Sequence, residues 1–479
     1  MKSGAWIKKI KKKHNKKNSN KIVFGFALHE LTFYHNSINF LTDNKSKTKI
    51  IIMRKGISAV IIVMIIAAIG VSAFSLYTTQ MKSTGKSEQP VKQPSQQEKP
   101  TQSEEQQPET YVEEEKTEYK PIFEERLPNI PSCGDKRELF TVSHIPISEL
   151  QNIVPLGNLN PSGHTFPTNH LYFHIKGFRG GQSSSDVSVV APGDILVTRI
   201  VSSEYTMNGR QIKDYKMDFT VCKEVRGYFI HLTSLSEKIL QSFGQPGNCK
   251  EYDTGGTHYK NCKKDFQFSP ISVAGGEPVG TAGGSSDFGL SDSRTKELVY
   301  SNPERWYEDP LHRVCPLDYF TADIGSQLKS LLGSYDVKRT IEPTCGEVAQ
   351  DKPGTGQGVW FVKGTRNTYP EDPHIALVHG NINPLKGVFS VGTSLSSLDS
   401  GTYYFGPKAS GFVNRDFKDV KPDGNIYCYD SLTQRFGEQV SVKIILQMIS
   451  STTLRIEKQS GECGNGSWVF TSKYTEFER

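Results

Sequence analysis

Between Ile57 and Tyr77 the chain carries no charged residue: ISAVIIVMIIAAIGVSAFSLY. About 20 apolar residues are what a helix needs to cross a bilayer, so this stretch constrains the chain more than any other segment. Arg54 and Lys55 stand just ahead of it, and the sequence behind it is polar and soon acidic. Positive charge on one flank predicts a single-pass anchor in the cell membrane. The N-terminus is then cytoplasmic, and everything beyond residue 78 is extracellular.

The charge balance repeats this division. The 479 residues hold 57 Lys and Arg against 51 Asp and Glu, a formal charge of +6. Residues 1–55 alone carry +12, which leaves −6 on residues 56–479. A nucleic-acid partner would need its Lys and Arg clustered on a folded domain, and the cluster here lies ahead of any such domain. No nucleic-acid binding is expected.

Two readings of residues 1–52 stand. They form a basic N-terminal arm, or the start is misassigned and Met53 is the first residue. The order from Met53, a compact basic group and then the apolar run, favours the second. Within residues 53–73, Arg54-Lys55-Gly56 ahead of Ile57-Ser58 resembles the signal segment of archaeal type IV pilins. That resemblance implies processing after Gly56, a pilin-like filament subunit as one alternative, and a surface location.

Residues 79–132 are rich in Gln, Glu, Pro, Lys, Ser and Thr and nearly free of hydrophobes. Such a segment buries too little apolar area to offset its chain entropy, so it reads as a disordered stalk. All eight cysteines follow the anchor, and no CxxC spacing occurs. An even count on the outer side predicts disulfides. Cys249 and Cys262 bracket a polar Gly-Gly turn, Cys315 and Cys345 flank one segment, and Cys428 and Cys463 share one β-rich region. Asn465-Gly466-Ser467 spells a glycosylation acceptor.

Beyond the stalk the chain is mainly β, and two antiparallel β domains are expected. In residues 136–312, Leu171–Ile175, 194–201, 214–222 and 226–232 are β-branched or aromatic runs bounded by turn residues. A connector at 313–342 carries Ile324, Leu328, Leu331 and Leu332 at helical spacing, with Thr321 as N-cap. Residues 343–479 show short strands at regular spacing, among them 358–362, 387–391, 411–414 and 468–472, as in a sandwich or small barrel.

The order of motifs in the first domain resembles the lysostaphin-type zinc endopeptidases over residues 160–292. The matching stretches are His170-Leu-Tyr-Phe-His174, Ala191-Pro-Gly-Asp-Ile195, Tyr228-Phe-Ile-His231-Leu232, Gly276-Glu-Pro-Val-Gly280-Thr-Ala-Gly283 and Ser285-Ser-Asp287-Phe288. The resemblance implies a compact antiparallel β sandwich. It also implies metal ligands at His170, His174 and Asp287 and a catalytic histidine at His231. The family's second and third ligands are Asp and His, where this chain has His174 and Asp287. Ser285 replaces a second catalytic histidine.

Residues four apart in a regular strand lie about 13 Å from each other, so His170 and His174 share an ion only if the chain bends between them. The altered ligands point to a domain that keeps the fold without the metal chemistry. The expected function is binding of a surface glycan, wall polymer or envelope protein, with no cofactor. The enzyme alternative is a zinc metallopeptidase with an unusual His/His/Asp site.

Overall fold

The computed structural model describes residues 130–178, 185–207, 209–254, 257–306, 308–435 and 437–479. The N-terminal arm, the anchor at 53–78 and nearly all of the stalk lie outside the described residues. Among the described residues no helix is long and apolar enough to cross a membrane. All of them belong to one compact unit, Glu113–Arg479.

The unit is mainly β and antiparallel, built on two ten-stranded sheets. The principal strands of the first sheet are β1 (Leu150–Val154), β2 (Leu171–Ile175), β3 (Ile195–Met207), β4 (Arg210–Thr220), β5 (Val225–Leu232), β6 (Asn248–Thr254), β7 (Thr257–Asp265) and β8 (Ser285–Asp292). They lie in the order β1-β2-β8-β5-β4-β3-β7-β6. A small three-stranded sheet joins Val187–Val190, Pro278–Ala282 and Ser234–Leu235. Gly280 serves its close approach, because a Cβ there would run into the Ser234 carbonyl.

Strand alternation divides the side chains of the first sheet. Leu171, Phe173, Phe229, Phe288 and Met217 point into the core and are fully buried. Each such side chain stabilises the fold by about 1.5–3 kcal/mol relative to exposure. Tyr172, Tyr228 and Asp287 occupy the opposite face, since Tyr172 and Asp287 are direct cross-strand partners.

The second sheet runs from Tyr427–Tyr429 through Val442–Ser450, Thr453–Ser460, Thr475–Glu478, Gly358–Val362, Ile375–His379, Gly387–Val391 and Gly401–Phe405 to two short end strands. Its own core includes Trp360, Phe389, Tyr429 and Ile444. A further apolar cluster joins the two halves. Leu159, Phe166 and Tyr300 from the first half pack with Val359, Phe361, Ala376, Val378 and Val388 of the second sheet.

Three expectations need correction. Residues 411–414 are not a strand. Gly411 and Asn414 have positive φ, and only Val413 makes a β bridge, to Cys428. Residues 468–472 are not a strand either, because side chains engage their backbone. Thr471 N–H donates to Glu457 and the Val469 carbonyl accepts from Gln459. The helix of the connector covers only Ala322–Lys329, with Thr321 at its N-cap position but no side-chain cap bond. A hairpin of Gly333–Ser334 and Val337–Lys338 follows it.

The disulfides are Cys133–Cys222, Cys249–Cys262, Cys315–Cys345 and Cys428–Cys463. The last three are the pairs that the sequence suggests, and Cys133–Cys222 is added to them.

Candidate functional site

The residues that carry the lysostaphin-like resemblance sit on three adjacent strands and the loop before them. His170 ends the loop ahead of β2, Asp287 lies on β8 and His231 on β5. His231 reaches the polar face through a local irregularity. Tyr215 pairs with Leu232 and Met217 with Phe229, so β5 holds one residue more than β4 over this stretch. His231 takes the strain, with φ of 64°. Such a bulge re-aims a side chain. Without it His231 would share the core face with Phe229.

The result is a continuous polar chain. His231 Nδ1 lies 2.6 Å from Asp214 Oδ2. Its Nε2 faces Asp287 Oδ2 at 3.4 Å. The same Asp287 oxygen is 3.3 Å from His170 Nε2. His170 Nδ1 stands 3.2 Å from the Tyr228 hydroxyl, which donates to Asn169 Oδ1 at 2.6 Å. Ser285 Oγ donates to the other Asp287 oxygen at 3.2 Å. The Tyr228 ring lies across Gly289, its cross-strand partner, and any Cβ at Gly289 would collide with it.

Burial and charge oppose each other here. Burial raises the pKa of Asp287, but His231 and then His170 outweigh it and hold the carboxyl well below the usual carboxylate range. Burial works against a charged His231, yet Asp287 and Asp214 hold its pKa well above the ordinary histidine value. The His231 side chain is 47% exposed, so water screens part of this effect, while Asp287 is 2% exposed. His164 packs edge-on against His170, and burial followed by His170 lowers its pKa to about 4.

His174 is not part of this cluster. β2 is regular from Leu171, which carries His174 to the other end of the strand opposite Ser285. Its Nδ1 meets Asn152 Nδ2 at 3.3 Å, and its ring lies beside Phe178 and Tyr335. Burial lowers its pKa to about 4, so it is neutral at pH 7. The bend that would let His170 and His174 share an ion is absent.

A zinc site drawn on His170, His174 and Asp287 therefore does not fit these residues. Replacing His174 by His231 does not restore one. Among the described residues only Cys133, Cys222 and Glu224 bring three ligand atoms within 4.8 Å of one another, and both of those cysteines are in a disulfide. Tetrahedral zinc with ligands at about 2.0–2.2 Å needs closer donors than His170 and His231 provide.

The second sheet holds the loop that delivers His170. Asn381 Nδ2 donates to the Pro155 carbonyl. Phe166 stacks on His374 at 5.5 Å and meets Phe361 edge-on. The buried Glu371 carboxyl group accepts from Phe166 N–H at 2.8 Å and also from Thr165 N–H. Asp214, Tyr228 and Glu371 carry no local sequence signal for these roles, because each acts through a partner far along the chain.

Comparison with known proteins adds no relative: no family model, curated protein or solved structure matches the chain.

Proposed function

We propose that the protein is a membrane-anchored surface protein whose first sheet is a lysostaphin-endopeptidase-like domain without metallopeptidase chemistry. Its task is to bind a surface glycan, a wall polymer or an envelope protein over the face that carries His231. The four disulfides are compatible with an extracellular setting. One observation carries the non-catalytic reading. The Asp287 carboxylate, where the resemblance implies a metal ligand, is flanked by His170 and His231, while His174 is turned to Asn152.

A second reading, a zinc metallopeptidase, draws on a different detail. His170 Nε2 is buried and lies off the line of a hydrogen bond despite its closeness to Asp287. Metal analysis separates the two. After purification in the presence of zinc, the protein is expected to hold no stoichiometric zinc. One zinc per chain that disappears in His170→Ala overturns the non-catalytic reading.

A further inference from the structure

Two acceptor tripeptides for N-linked glycans occur in the chain, Asn44-Lys45-Ser46 and Asn465-Gly466-Ser467; the proline in Asn160-Pro161-Ser162 bars a third. The second stands on a feature of the fold. Its loop follows Thr453–Ser460, and the Cys428–Cys463 disulfide fixes its base. Trp468 Nε1 donates to the Cys463 carbonyl at 2.9 Å and closes the loop from the other side.

Between these ties the chain stands clear of the protein. Residues 464–467 are all exposed. A Cβ placed on Gly464 or Gly466 would meet nothing within 4 Å. Gly464 has φ of 54°, which lets the chain turn just before the asparagine. The Asn465 carboxamide and the Ser467 hydroxyl make no hydrogen bond to the rest of the described protein. An acceptor asparagine must leave the surface and enter another enzyme's active site, and an exposed, unengaged loop with glycine on both sides permits this at small cost.

We propose that Asn465 is a site of N-linked glycosylation. The donor is an oligosaccharide linked to a lipid phosphate. Asn465 Nδ2 attacks the anomeric carbon, a C–N bond forms and the C–O bond to the phosphate breaks. The lipid phosphate leaves, and the amide proton passes to a base of the transferase. No oxidation or reduction is involved. The glycan then stands on the second sheet, beside the Cys428–Cys463 staple. The proposal rests on the extracellular placement of residues beyond 78; in a chain begun at Met1, Asn44, on the far side of the apolar stretch, serves as its internal control.

The test is peptide mapping by mass spectrometry of the full-length protein isolated from the membranes of its own cells, without reduction. The peptide Gln459–Lys473 is expected to carry hexose or N-acetylhexosamine mass on Asn465. The same mass should vanish in Asn465→Gln and in Ser467→Ala, and in a chain begun at Met1 Asn44 should be bare. An unmodified Asn465 overturns the proposal. If Cys428 and Cys463 are joined in that sample, the acceptor loop itself has failed. If they are free thiols, the extracellular placement has failed with it. Sugar on Asn44 in place of Asn465 also overturns it, by reversing the orientation.

Discussion

His231 Nδ1 and Asp214 Oδ2 lie 2.6 Å apart at the place where the pairing of β4 with β5 slips by one residue. The bulge and the ion pair support each other. A positive φ at a residue other than glycine is costly, and the two carboxylates that receive the imidazole offset that cost.

A titration follows from this contact. The folded pKa of His231 is raised above its unfolded value, so its contribution to stability is complete below about pH 6.5 and is lost as pH rises through the folded pKa. Asp214→Asn should lower the His231 midpoint seen by NMR. It should also remove on the order of 1 kcal/mol of stability at neutral pH, a modest figure because water screens the half-exposed His231. An unmoved midpoint would mean that Asp214 does not hold the charge.

Tyr228 and Gly289 make a second case. The tyrosine ring needs the bare backbone of Gly289 to lie flat and reach Asn169 and His170. Gly289→Ala should destabilise the protein by about 1–3 kcal/mol through overpacking, measured by urea unfolding. Tyr228→Phe keeps the ring and removes only the hydroxyl, so about 1 kcal/mol is expected. Equal losses in both variants would deny the steric role of Gly289.

Glu371 gives a pH dependence of its own. Burial raises its pKa to about 8, against the two backbone N–H groups of Phe166 and Thr165, which lower it, and with a smaller contribution from Asp372. The folded pKa lies above the unfolded one, so the native state binds more protons between pH 4.5 and 8. Stability attributable to this group therefore falls as pH rises through that window, at roughly 1.4 kcal/mol per pH unit at most. Glu371→Gln keeps an acceptor for Phe166 N–H and should flatten that slope in denaturation curves recorded across the window. A slope that persists would assign the effect elsewhere.

Much of the strand content was legible in the sequence, and the exceptions have a common physical cause. Gly358–Val362 and Gly387–Val391 read as strands because short runs rich in Val and aromatic residues between glycines leave few alternatives. Residues 411–414 and 468–472 also carry Val beside Phe, yet positive φ in the first and side-chain bonds to the backbone in the second decide their shape. The polar hairpin of β6 and β7 gave no apolar signal because its faces are largely exposed. At the site, His170 and Asp287 were readable as a pair through the motif order. The exclusion of His174 depends on where β2 begins. The reach of His231 depends on one extra residue in a strand, and neither leaves a mark in a residue pattern. The support of the His170 loop by Glu371 is a contact over 205 positions, which local spacing cannot express.

The disulfides differ in the loops they close, and that difference is measurable. Cys249 and Cys262 are 13 residues apart, whereas Cys133 and Cys222 are 89 apart. Chain entropy in the unfolded state rises with loop length, so the longer closure should contribute about 4.5 kcal/mol against about 3 kcal/mol for the shorter. Cys133 also ties the end of the stalk to the turn between β4 and β5, where Glu224 accepts from Cys133 N–H and Ser132 Oγ. Replacing both Cys133 and Cys222 by Ser should therefore lower stability more than the same change at Cys249 and Cys262, and free residues 130–136 for proteolysis. Thermal unfolding and limited trypsin digestion of the two double variants report the two effects separately. Equal unfolding midpoints, with no new cleavage ahead of Phe140, would show that the stalk junction is held by its packing alone.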